Sequence, residues 1–133
     1  MKINILKHSQ EWFKQAEYDI DTAQIMLRSG RYVYCVFMCH LSIEKALKGL
    51  YVKNFAKNPS KIHSLVYFSQ ALSLNLPVQF KEFIENLDDI SVSTRYPEEL
   101  GKLLKEYTLK RAQVIFGNSK GALKWLKKEL KKR

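Results

Sequence analysis

Tyr32-Val33-Tyr34-Cys35-Val36-Phe37-Met38-Cys39-His40-Leu41-Ser42-Ile43-Glu44-Lys45-Ala46-Leu47-Lys48 is apolar on nearly every side at its start and then turns charged without a breaker. The β-branched and aromatic residues would also suit a strand. The length of the run and its continuation through Glu44, Lys45, Ala46, Leu47 and Lys48 favour a helix, over about residues 32–54. A helix with no polar face must be surrounded by other helices. The charges at Glu44, Lys45 and Lys48 then predict that it emerges there into a cleft or interface. Cys35 and Cys39, one turn apart on one face, read as buried thiols. A metal knuckle would need a turn between its ligands.

Upstream, Ser9 is a plausible N-cap, and Trp12, Ala16, Ile20, Ala23 and Leu27 repeat at helical spacing until Gly30, giving a first helix over about residues 9–29. Downstream, Asn58 and Pro59 place a loop at 55–62, followed by a short helix over about 63–74. Pro77 opens a fourth helix with an apolar stripe of Phe80, Phe83, Ile84 and Leu87, which fades at Asp88-Asp89. Residues 91–97 read as a connection, because the residue before Pro97 is pushed out of the helical region. A last helix from about Thr108 carries Leu109, Ala112, Ile115, Phe116, Leu123, Leu126 and Leu130, with Gly117 and Gly121 weakening its middle. No strand alternation, repeat or linker interrupts this order. The expected fold is all-α, an up-and-down antiparallel helical bundle with short additional helices, and residues 1–133 form a single domain.

Composition narrows the function. With 46% hydrophobic and 27% charged residues the chain matches globular usage, and no apolar run approaches the roughly 20 residues of a membrane span. Met1 to Leu6 do not develop into a signal-peptide core before Lys7 and His8, so a cytoplasmic location and no membrane partner are expected. Twenty-three Lys and Arg against 13 Asp and Glu give a net charge of +10, a field that attracts phosphate groups. Part of the excess lies at Lys120, Lys124, Lys127, Lys128, Lys131, Lys132 and Arg133, on a helical period that also suits a solvated face. Two Trp, seven Tyr and seven Phe beside an all-round apolar helix suggest a homodimer. Asp19 and Asp21, two apart on a helix, point to different faces and give no metal site. No metal or cofactor is expected.

Glu44 and Lys48 form an i, i+4 pair in the favourable orientation. His63, in a segment Lys61-Ile62-His63-Ser64-Leu65, and Arg95, before Tyr96-Pro97, are placed to meet the same cleft. Imidazole titrates near neutral pH, and a guanidinium grips phosphate with two parallel hydrogen bonds. The plainer readings are a helix-end histidine, and Arg95 paired with Glu98 or Glu99.

Taken together, Trp12, Ala16, Tyr18-Asp19-Ile20 and Ala23, then Gly30-Arg31-Tyr32, Glu44-Lys45-Ala46-Leu47-Lys48, His63-Ser64-Leu65 and Thr94-Arg95-Tyr96-Pro97 resemble the HEPN domain family over nearly the whole chain. The resemblance implies a helical bundle that self-associates and acts in nucleotide or RNA biology, often beside a minimal nucleotidyltransferase in a toxin–antitoxin pair. Ribonuclease members of the wider superfamily carry an Arg followed after four to six residues by His. Here eight residues separate Arg31 from His40, and no other Arg precedes a His at the four-to-six-residue interval. His40 also stands where the family has glutamine, as a core or interface histidine. The leading expectation is a non-catalytic subunit that binds nucleotide or RNA phosphate through Lys45, Lys48, His63, Arg95 and Tyr96, with Glu44 as the ion pair of the cleft. Its expected partners are a second copy of itself and a nucleotidyltransferase. The alternatives are a ribonuclease using His63 and Arg95, and a structural dimerisation module.

Overall fold

A computed structural model describes residues 4–95 and 100–132, except for the side chains of 92–95. It is an up-and-down bundle of four long helices, α1 (Ile5–Arg28), α2 (Tyr32–Phe55), α4 (Val78–Arg95) and α6 (Leu109–Lys131), with short helices α3 (Leu65–Ala71) and α5 (Leu100–Glu106) between them. Among the described residues there is no strand, and no helix is long and apolar enough to cross a membrane. α2 is the central helix, its Cys35, Cys39, Ile43, Ala46, Leu47 and Val52 all fully buried. Both cysteines are free thiols in this core.

The first helix starts earlier than its apolar pattern suggests. Asn4, not Ser9, caps α1, its side chain accepting from Lys7 N at 3.1 Å. Ser9 lies inside the helix and is buried, and its hydroxyl donates to the Gly49 carbonyl of α2 at 3.0 Å. Ser42 reaches the other way, donating to the Ala16 carbonyl at 2.7 Å. These two hydrogen bonds fasten an antiparallel α1–α2 pair in which backbones come close, and Gly49 is what permits it. Gly30, at φ +77°, makes the left-handed turn that reverses the chain between them, with Arg31 N bonding back to Met26 O at 2.8 Å.

The fourth helix differs from expectation in length. It does not end at Asp88-Asp89 but continues as helix to Arg95, so the first part of the expected connection is helical. Burial outweighs local propensity there: Leu87 and Ser91 are inward-facing, and the Ser91 hydroxyl bonds back to the Asp88 carbonyl at 3.0 Å. The expected third helix shortens to Leu65–Ala71, which leaves His63 in the loop before it. Gly117 and Gly121 do not interrupt α6, whose N-cap is Thr108. α2 and α6 run the same way, as the second and fourth long helices of such a bundle must. At their common C-terminal end Lys53 Nζ donates to the carbonyls of Glu129, Leu130 and Lys132.

The close α1–α2 approach makes a sharp prediction. A Cβ on Gly49 would stand 2.8 Å and 2.9 Å from two Phe13 ring carbons, with Trp12 Cβ at 3.1 Å. Gly49→Ala therefore overpacks the interface and should destabilise the fold by about 1–3 kcal/mol, even though alanine is the better helix former. A lower urea midpoint with an unchanged slope is the expected result.

Candidate functional site

α2 carries His40, Glu44 and Lys48 at successive i, i+4 positions on one face, and all three are buried, Glu44 at 3% and Lys48 at 6% exposure. The helix therefore does not emerge into solvent here. Its charges stay inside because each finds a partner. Lys48 Nζ donates to Glu44 Oε2 at 3.1 Å, and the ammonium sits 5.9 Å from the ring centre of Trp12 on α1 and 5.5 Å from that of Phe68 on α3. Aromatic faces thus do for this cation part of what water does for an exposed one.

His63 completes the group. Its Nδ1 lies 3.1 Å and 3.3 Å from the two Glu44 oxygens, and its side chain is 60% exposed against 4% for that of Glu44. Since a carboxylate only accepts, Nδ1 carries the hydrogen and Nε2 is the lone-pair nitrogen of the neutral ring. An exposed imidazole oriented by a buried carboxylate can take a proton on Nε2 and, once charged, donate it in a hydrogen bond to a phosphate oxygen, an arrangement that serves both anion binding and acid–base work.

The loop bearing His63 is pinned from below by Asp88, which the sequence pattern suggests only as the end of a helix. Asp88 Oδ1 accepts from Leu65 N at 2.8 Å, and Oδ2 accepts from Val66 N at 2.9 Å and the Ser64 hydroxyl at 3.1 Å. The same carboxylate takes His40 Nε2–H at 3.0 Å. Burial pushes the Asp88 carboxyl up, but the His40 hydrogen bond and the two backbone N–H groups outweigh it and hold the group below the ordinary value of 3.8. The other edge of His40, Nδ1, makes no hydrogen bond and lies 3.8 Å from Glu44 Oε1. A polar seam thus runs Asp88–His40–Glu44–His63 through the bundle, hydrogen-bonded at every step but the 3.8 Å one between His40 and Glu44.

Of the residues expected around one cleft, Glu44, Lys48 and His63 come together. Lys45 does not. It lies on another face of α2 and pairs with Asp19 of α1 at 2.8 Å, because neighbouring residues on a helix point about 100° apart. Lys48 is enclosed, not presented. The Arg95 side chain and Tyr96 lie outside the described residues. Asp88, Trp12 and Phe68 join the group, and of these only Trp12 stands out in the sequence, as a core residue. Among the described residues no three His, Cys, Asp or Glu are grouped to hold a metal.

The HEPN domain profile matches residues 9–130. The chain is 27% identical to "Putative toxin MJ1304" of Methanocaldococcus jannaschii, over 96% of this chain and 91% of that protein. Among solved structures it resembles TT1696 of Thermus thermophilus at 25% identity and TM-score 0.80, over 91% of this chain and 97% of the other. It also resembles ST0689, described as an archaeal HEPN homologue, at 27% identity and TM-score 0.74, over 93% and 98%.

Acid titration should expose the Asp88 clamp. Its carboxyl releases its proton more readily in the folded chain than in the unfolded one. Its contribution to stability is therefore complete above the ordinary carboxylate range and is lost as pH falls through 3.8 toward the folded value. Asp88→Asn should cost about 1–3 kcal/mol at neutral pH, because one amide cannot accept from all four donors. Denaturation curves from pH 7 to pH 2 should converge for the two proteins at the acid end. Parallel curves would mean that the clamp is not what titrates.

Proposed function

The chain belongs to the HEPN family, and on that premise we propose that it is the phosphate-engaging subunit of a toxin–antitoxin-type pair, holding nucleotide or RNA without cleaving it. The observation that carries this reading is the exposed His63 ring held by the buried Glu44 carboxylate, in a chain of net charge +10. The name of the Methanocaldococcus jannaschii relative supports the toxin side of such a pair. Arg95 and Tyr96 join the phosphate contact on the strength of their motif. Lys45 and Lys48, each turned onto a carboxylate, contribute field more than direct contact. The protein partner is a nucleotidyltransferase. The pair is built on a homodimer, for which exposed Tyr18, Ile25 and Tyr34 offer apolar surface.

A ribonuclease is the second reading, and the same Glu44–His63 geometry favours it, with His63 as acid or base and Arg95 on the developing phosphate charge. The spacing of Arg and His argues for binding first.

Fluorescence anisotropy with a short labelled RNA separates the readings. Binding that falls steeply with salt is expected, weakened by about 1–3 kcal/mol in Arg95→Ala and several-fold in His63→Ala, with the RNA intact on a gel. Cleavage by the wild type that disappears in both variants would establish the ribonuclease instead. Undetectable binding with no cleavage leaves only a structural module. Light scattering should report about twice the 15.6 kDa chain mass, and a monomer at micromolar concentration would remove the dimer.

A further inference from the structure

Away from the His63 edge, a groove of about 590 Å³ lies between α1 and α6. Its α6 wall presents Lys120, Lys124, Lys127, Lys128 and Lys131, a stripe about 16 Å long, or three helical turns. Lys127 pairs with Glu17 across the groove, and among the described residues the other four lysines make no ion pair. The α1 wall is of the opposite sign, with Glu17 and Asp21 one turn apart. Between the walls the floor is apolar: Ile20 of α1, Leu123 of α6, and Gly121, whose missing side chain leaves the Phe80 ring just beyond it.

These features discriminate among occupants. A nucleic-acid strand is negative along its whole length and would have to pass both carboxylates, and no aromatic side chain among the described residues lines the groove to stack a base. A second copy of this chain facing the groove across a two-fold axis would set one lysine stripe against another. An amphipathic helix with acidic residues along one flank, a basic residue on the other and an apolar stripe between is complementary to the lysine wall, the carboxylate wall and the apolar floor. We propose that the α1–α6 groove is the docking surface for such a helix, contributed by a different protein. This names the chemistry of the partner in the two-protein reading above. It rests on that pairing, but not on phosphate binding at His63.

The probe is a fluorescein-labelled, side-chain-stapled peptide of about three helical turns. It carries leucines at i, i+4 spacing, glutamates along one flank and a single lysine on the other. Anisotropy is measured against this peptide, its glutamine counterpart, a charge-reversed version and a labelled oligouridine. The acidic peptide should bind and the glutamine peptide should not. Lys124→Glu combined with Lys128→Glu, both on exposed positions, should weaken the acidic peptide about tenfold or more and allow the charge-reversed peptide to bind. Oligouridine affinity should respond to His63→Ala and change little with the groove substitutions. Equal binding of the acidic peptide by wild type and the double variant overturns the proposal. So does failure of wild type to bind it, and so does loss of oligouridine instead of peptide, which would assign the groove to nucleic acid. Peptide binding that survives while oligouridine never binds overturns the phosphate reading alone.

Discussion

A carboxylate taken out of water costs several kcal/mol unless donors surround it, and Glu44 in the middle of α2 sets that requirement for one end of the bundle. Lys48, one turn along, supplies the counter-charge but is buried as well. Its ammonium in turn needs Trp12 and Phe68 beside it, which fixes where the start of α1 and the whole of α3 pack. The remaining donor comes from His63, so the loop before α3 must return to α2. Gly49 and the Ser9 hydroxyl bring α1 close enough for this enclosure to close. The packing there follows the charges, where in the rest of the core the charges follow the packing.

His63 would be poorly placed if its loop were free to drift. The neighbouring Ser64 and the first two amides of α3 are all held by Asp88, and Asp88 is held by His40, one turn of α2 before Glu44. Both ends of the seam therefore refer back to one rigid helix. An exposed side chain on a loop thus inherits the precision of the most buried element in the molecule, which is what a binding or catalytic group on a surface needs.

The course of the helices was legible because apolar periodicity and breakers such as Gly30 and Pro77 act locally. What was not legible depended on contacts between distant segments. Ser9 looks like a cap in sequence, but its oxygen is used by α2, and Asn4 caps the helix. Asp88-Asp89 looks like the end of a helix until the amides of α3 are seen to arrive on Asp88. Glu44 and His63 stand out together because the motif couples them. Lys45 groups with Glu44 by nearness in sequence, although consecutive residues on a helix face different ways and Asp19 claims it.

Parallel helices carry a penalty that antiparallel ones escape, since their peptide dipoles align and like partial charges meet at each end. α2 and α6 run in the same direction, with their negative ends side by side, and Lys53 places one ammonium there, against three carbonyls of the α6 terminus. That lysine acts as a counter-ion built into the chain, fixed by covalent attachment to one helix while serving the other. Its charge is shielded less by salt than that of a surface pair. The C-terminal turn of α6 is thereby anchored electrostatically, and a change that neutralised Lys53 would loosen that turn while leaving the apolar contacts of the core in place.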